Sequence, residues 1–200
     1  MQQIIWQNAQ GIAASYPDSS RSQYQQAAVT LRIPYWDWAF NATMPSLLYN
    51  RNININTPTG QSTIANPLAT YRFHPQPSES DFPSSESDVS TAPDNSIGSD
   101  AMQINKFPKT VRQPGRSGNS RPNFVNQILA GQAQSLHDQT YQLISDQPNY
   151  TPFSNTVNVD DSNNFGSLEG LHNNIHGIIG GHMAWIPYSA FDPIFWLHHT

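Results

Sequence analysis

Residues 166–200 read GSLEGLHNNIHGIIGGHMAWIPYSAFDPIFWLHHT and hold five of the chain's seven histidines. Ser167 is a natural N-cap, Glu169 in the following turn suits the positive end of a helix dipole, and Gly180-Gly181 supplies a stop. These signals predict a helix over Leu168–Ile179. At about 100° per residue, Leu168, Leu171, Ile175, Ile178 and Ile179 fall on one face, and Glu169, His172, Asn173 and His176 on the adjoining one. Side chains four apart on a helix are neighbours, so His172 and His176 can offer two imidazole nitrogens to one ion. A second helix begins with Asp192 as N-cap and Pro193 at the first helical position, and continues through IFWLHH. His198 and His199 differ by about 100° in direction, so one of them faces such an ion, and geometry alone leaves the choice open. HxxxH followed by HH predicts a metal site. HNNIH lacks the general-base glutamate of an HExxH zinc protease, and an all-imidazole donor set suits copper, zinc, nickel or iron.

Outward from this cluster, composition bounds the rest. Two hundred residues allow one sizeable core, and only 12% are charged while 16 are proline, which predicts a loop-rich domain. A net charge of -5 with nine Lys and Arg leaves no basic surface for nucleic acid or an anionic membrane. No apolar run reaches the roughly 18 residues of a membrane span, so a soluble protein is expected, its compartment open. The start, MQQIIWQNAQG, has no secretory-signal pattern; Ile4, Ile5, Ala9, Ile12 and Ala13 recur at helical spacing instead. With no cysteine there is neither disulfide nor thiolate ligand. Asn41 and Asn149 head glycosylation-type triplets.

A polar stretch follows Pro17-Asp18, and then TLRIPYWDWAF (30–40), whose Tyr35, Trp36 and Trp38 are expected in the core. Between Pro75 and Pro122 six of the fourteen carboxylates (Glu79, Asp81, Glu86, Asp88, Asp94, Asp100) precede five basic residues, from Lys106 to Arg121. Such Ser/Pro-rich sequence with blocked charges predicts solvated loop. Asn123–Ser145 carries another helical pattern, interrupted by Gly131. His74, His137 and His182 are expected to be structural or exposed.

LHNNIHGIIGGHMAWIPYSAFDPIFWLHH resembles the second copper motif of the tyrosinase, catechol oxidase and haemocyanin family, and RIPYWDWA with NPLATYRF resembles fungal tyrosinases. The resemblance implies a mainly α fold, part of a four-helix bundle with long irregular loops that holds two coppers, three histidines to each. It assigns one copper to His172, His176 and His199, and so chooses His199 over His198. It places Phe195 as a ring beside the site and Ile186 near substrate entry. It also gives Asn173 and Glu169 a part in phenol deprotonation. The implied reaction is oxidation of monophenols and o-diphenols to o-quinones with dioxygen, as in melanin-type pigment synthesis. The alternatives are a catechol oxidase without monophenol hydroxylation, and a non-enzymatic oxygen carrier or mononuclear metal protein. No histidine precedes Trp36, so the first copper motif is missing and ligands for one ion remain. Residues 1–200 are therefore expected to be an internal fragment of one copper domain, cut within its last ligand helix and inactive alone.

Overall fold

A computed structural model describes residues 2–78, 107–115, 117–159 and 166–200. The chain opens with a helical hairpin, α1 (Gln2–Ala14) and α2 (Asp18–Thr30). The two run antiparallel: the Trp6 indole near the start of α1 donates to the Val29 carbonyl near the end of α2, and Tyr16 and Tyr24 stack at 3.6 Å. The α2 sequence DSSRSQYQQAAVT buries only Ala28. With no apolar stripe to betray it, this helix was unrecognised in the sequence; Asp18 in its first turn pairs with Arg21 at 2.5 Å. The α1 spacing does form a helix, yet Ile4 and Ile12 are about 60% exposed and only Ala13 is buried.

A two-stranded antiparallel hairpin follows, β1 (Asn52–Thr57) and β2 (Gly60–Ala65), with Asn52 opposite Ala65 and Thr57 opposite Gly60. Alternation in NININT turns Ile53 and Ile55 to the half-buried face, and Tyr16 ties the helical hairpin to it by donating its hydroxyl to the Asn56 carbonyl at 2.6 Å.

The helices α3 (Pro122–Asp146), α5 (Leu168–Ile179) and α7 (Pro193–His198) build the core, while short α4 (Tyr150–Ser154) and α6 (Ile186–Ser189) turn the chain between them. Gly131 does not break α3, which runs through 25 residues. Val125, Leu129 and Leu136 of α3 pack against Ile175, Ile178 and Ile179 of α5 and Ile194 and Leu197 of α7. Burying each such side chain stabilises the fold by about 1.5–3 kcal/mol. Leu168, placed on that face by periodicity, is 44% exposed because it opens the helix beyond the packed turns.

Two expectations are corrected. Of the aromatic trio, Trp36 is 5% exposed and Trp38 half-buried, but Tyr35 is 69% exposed, since alternating side chains of an extended segment point opposite ways. The Trp36 amide donates to the Leu197 carbonyl at 2.8 Å, which joins this segment to α7. The stretch read as solvated loop contains the buried run Thr110, Val111, Arg112 and Gln113. Its six carboxylates and Lys106 lie outside the described residues, as does Arg116. Among the described residues no helix is long and apolar enough to cross a membrane.

Candidate metal centre

The histidine-bearing helices are bounded by the caps that the sequence signals. Ser167 accepts from the Gly170 amide at 3.0 Å and Asp192 from the Ile194 amide at 3.2 Å. Gly180 closes α5 at φ 63. These ends place His172 and His176 one turn apart on α5, and His199 as the residue that terminates α7.

The imidazoles converge. His176 Nε2 lies 3.0 Å from His172 Nε2 and 2.9 Å from His199 Nε2. His176 Nδ1 donates to the Met183 carbonyl at 2.6 Å, and in a neutral ring that leaves Nε2 without a proton. One unprotonated nitrogen facing two others at this distance is poorly served by hydrogen bonds alone. It is well served by a shared cation, with each nitrogen about 2 Å from the metal. The Met183 carbonyl is the outer partner that a metal-bound histidine ordinarily has.

The electrostatics favour neutral ligands. Burial pushes all four nearby histidines down: His172, with His176 adding to the effect; His176; His199, to about 4; and His198, to about 3, with the other three imidazoles adding to it. At neutral pH each therefore presents a lone pair rather than a competing proton. With no cysteine in the chain, the donor set is wholly imidazole, which fits copper.

His198 differs from the expectation that one of the adjacent pair turns away. All four imidazoles can bring a nitrogen within 4.8 Å of one another. His199 is the C-cap of α7, and its ring centre stands 5.2 Å from that of His198, the two planes at 89°. His198 is buried and lies flat on His172, ring centres 4.1 Å apart, with the Trp38 ring tilted against it at 6.3 Å. Phe195 stacks on His199 at 3.7 Å and 21°.

The remaining sequence candidates lie around this cluster. Glu169 Oε2 accepts from both the Thr156 amide (2.8 Å) and hydroxyl (3.0 Å), which holds its carboxyl below the usual range. Asn173 is exposed directly after His172, and Ile186, at the head of α6, is 92% exposed. His74 and His137 are exposed, and His182 is buried with its Nδ1 accepting from the Val111 amide at 3.0 Å.

Sequence reading missed the charge holding α7 in place. Asp192 was legible as an N-cap, but it also forms a buried ion pair with Arg112 at 2.5 Å, the two side chains 0% and 3% exposed. Arg112 lies 80 residues away in a Ser/Pro-rich run, so no local pattern marks the pairing.

The family model described as the common central domain of tyrosinase matches residues 13–200. This chain belongs to the tyrosinase family. The tyrosinase of Podospora anserina is 36% identical over the whole chain, which covers 34% of that relative, and the tyrosinase of Neurospora crassa is 34% identical, with 28% covered. The chain thus spans about a third of the length of the curated relatives it matches. A crystal structure holding latent and active mushroom tyrosinase superposes with a TM-score of 0.80 at 32% identity, covering 99% of this chain and 48% of that one. Family membership agrees with the mainly helical fold and with a histidine cluster able to hold a metal.

Proposed function

We propose that this tyrosinase-family chain supplies one copper site of a two-copper centre that oxidises monophenols and o-diphenols to o-quinones with dioxygen. The ligands in this reading are His172, His176 and His199, and the observation that carries it is the approach of their Nε2 atoms to 2.9–3.0 Å. Copper, when bound, supplies the electron exchange between phenol and dioxygen. The protein's part is orientation and proton handling. Met183 fixes the tautomer of His176, and the Phe195 ring against His199 restricts that imidazole and offers an apolar wall to a phenol. Ile186, exposed at the head of α6, is assigned to the approach route.

Asn173 and Glu169 are assigned to the phenol proton. With Glu169 Oε2 bonded to Thr156, Oε1 is left to orient a water beside Asn173 that accepts the hydroxyl proton. The same contact supports a second reading, a catechol oxidase acting on diphenols alone, because a carboxylate whose anion is already stabilised by two donors is a weaker base.

All seven histidines of the chain are described, and one cluster gathers four of them. The second copper's ligands are therefore assigned to sequence beyond these 200 residues, and the 200 residues alone are expected to be inactive. Exposed Ile4, Ile5 and Ile12 on α1 give such a segment an apolar surface to pack on. The test compares this chain with one that also carries a first copper motif, measuring copper content and quinone formation from tyrosine and from catechol. One copper and no quinone in the first, with two coppers and quinone from both substrates in the second, is the expected result. Quinone from catechol alone selects the diphenol reading, and efficient quinone formation by the 200 residues overturns the shared-centre assignment.

A further inference from the structure

We infer that the buried strap Val111–Gln113 is a positioning device for the metal centre, its adjacent residues Arg112 and Gln113 holding the two histidine helices at a set separation. The inference rests on reading the histidine cluster as a copper site. Gln113 grips the end of α5. Its amide donates to the Ile179 carbonyl at 3.0 Å, and its side-chain Nε2 donates to the carbonyls of Ile178 (3.0 Å) and Gly177 (3.3 Å). These belong to the last turn, where helix carbonyls lack intrahelical partners. Arg112 grips the start of α7. Its Nε reaches both Asp192 carboxylate oxygens, at 3.1 and 3.0 Å, while the same carboxylate caps the helix at Ile194. The guanidinium also donates to the Leu48 carbonyl and, at 3.3 Å, to that of Leu68, so α7 is tied to the surrounding loops as well.

Val111 completes the strap. It exchanges two hydrogen bonds with His182, whose neighbour Met183 sets the tautomer of His176. The approach is close enough that a Cβ on Gly181 would stand 1.9 Å from the Val111 carbonyl oxygen. Gln113 is also strained, with φ at 40 in a conformation that non-glycine residues seldom adopt and that persists where the surroundings over-determine it. A buried ion pair is weak support for stability by itself, since well-packed apolar residues often do as well. What an apolar pair cannot supply is direction, and the bidentate Arg112–Asp192 contact, Nε donating to Oδ2 at 3.0 Å and Nη2 to Oδ1 at 2.5 Å, fixes both distance and angle at the head of α7.

The test uses the full chain loaded with copper, as wild type, Gln113→Ala and Gln113→Gly. It reads the chelator concentration that strips half the copper, and the thermal midpoint of each metal-free protein. Both variants lose the donor to Ile178 and Gly177, but glycine also adopts φ 40 without strain. Both are expected to release copper at about tenfold lower chelator, the low end of the loss when a ligand's own hydrogen-bond partner is removed, with Gln113→Gly melting no lower than Gln113→Ala. Wild-type copper retention in both folded variants overturns the proposal. So does retention that simply follows the melting temperature, Gln113→Gly recovering both together. A wild type that holds no copper overturns the proposal and the metal-site reading alike.

Discussion

The segment 166–200 supplies the clustered histidines, while the strap 111–113 bonds to the helices that carry them. The first presents histidines from regular helices whose own caps define their ends. The second has no helix or strand; it is as buried as the core, with Val111 at 0% and Arg112 at 3% exposure, and the side chains of Arg112 and Gln113 meet partners 44 to 80 residues away. Helices can place two imidazoles on one face, since that needs only a spacing of four. They cannot set the angle between one helix and the next. That falls to irregular backbone whose hydrogen bonds reach both.

The difference can be broken most severely at the charge joining the two regions. Asp192→Ala leaves Arg112 as an uncompensated buried cation and removes the α7 cap, so denaturant unfolding should show a loss of about 3–5 kcal/mol. A loss near the roughly 1 kcal/mol of a cap alone would reduce the ion pair to incidental packing.

Acidification acts on the helices' side of the comparison. His198 and His199 are pushed down to about 3 and about 4 in the fold, from an ordinary value near 6.5. Between those values the unfolded chain binds protons that the folded chain refuses, so stability falls as pH drops. Metal-free protein should keep its stability from pH 8 to about 6.5 and lose it progressively towards pH 4, a trend checked by thermal melts across that range. A flat profile would mean that the four rings do not share one desolvated site.

Ser167→Ala is the mildest change. It removes one acceptor at the head of α5 and should cost about 1 kcal/mol in the same unfolding assay, with copper retention unchanged. Reduced retention here would move part of the positioning role from the strap to the cap.

The two regions also differ in how far they could be read beforehand. Leu168–Ile179 was legible to the residue because Ser167, the apolar period and Gly180 are all local signals. The pairing of His172 with His176 followed from the same helix. Of the strap only its composition was visible, and composition describes a free chain better than one threaded between helices. Arg112 seemed solvated because nothing within its own sequence reports a carboxylate 80 residues on. The α2 helix was hidden for a different reason: it buries little, so it lacks the apolar stripe by which helices are recognised. That both His198 and His199 approach the cluster was not legible either, because the direction of a side chain from its helix does not report how close two adjacent rings can bring their nitrogens.

Copper titration of the wild type beside His176→Ala decides whether His172, His176 and His199 form one copper site. His176 makes both of the close nitrogen contacts, so its loss leaves only two of the three ligands. One tightly held copper per chain is expected, disappearing in His176→Ala while the helical circular dichroism signal stays. Equal copper in both proteins would contradict it.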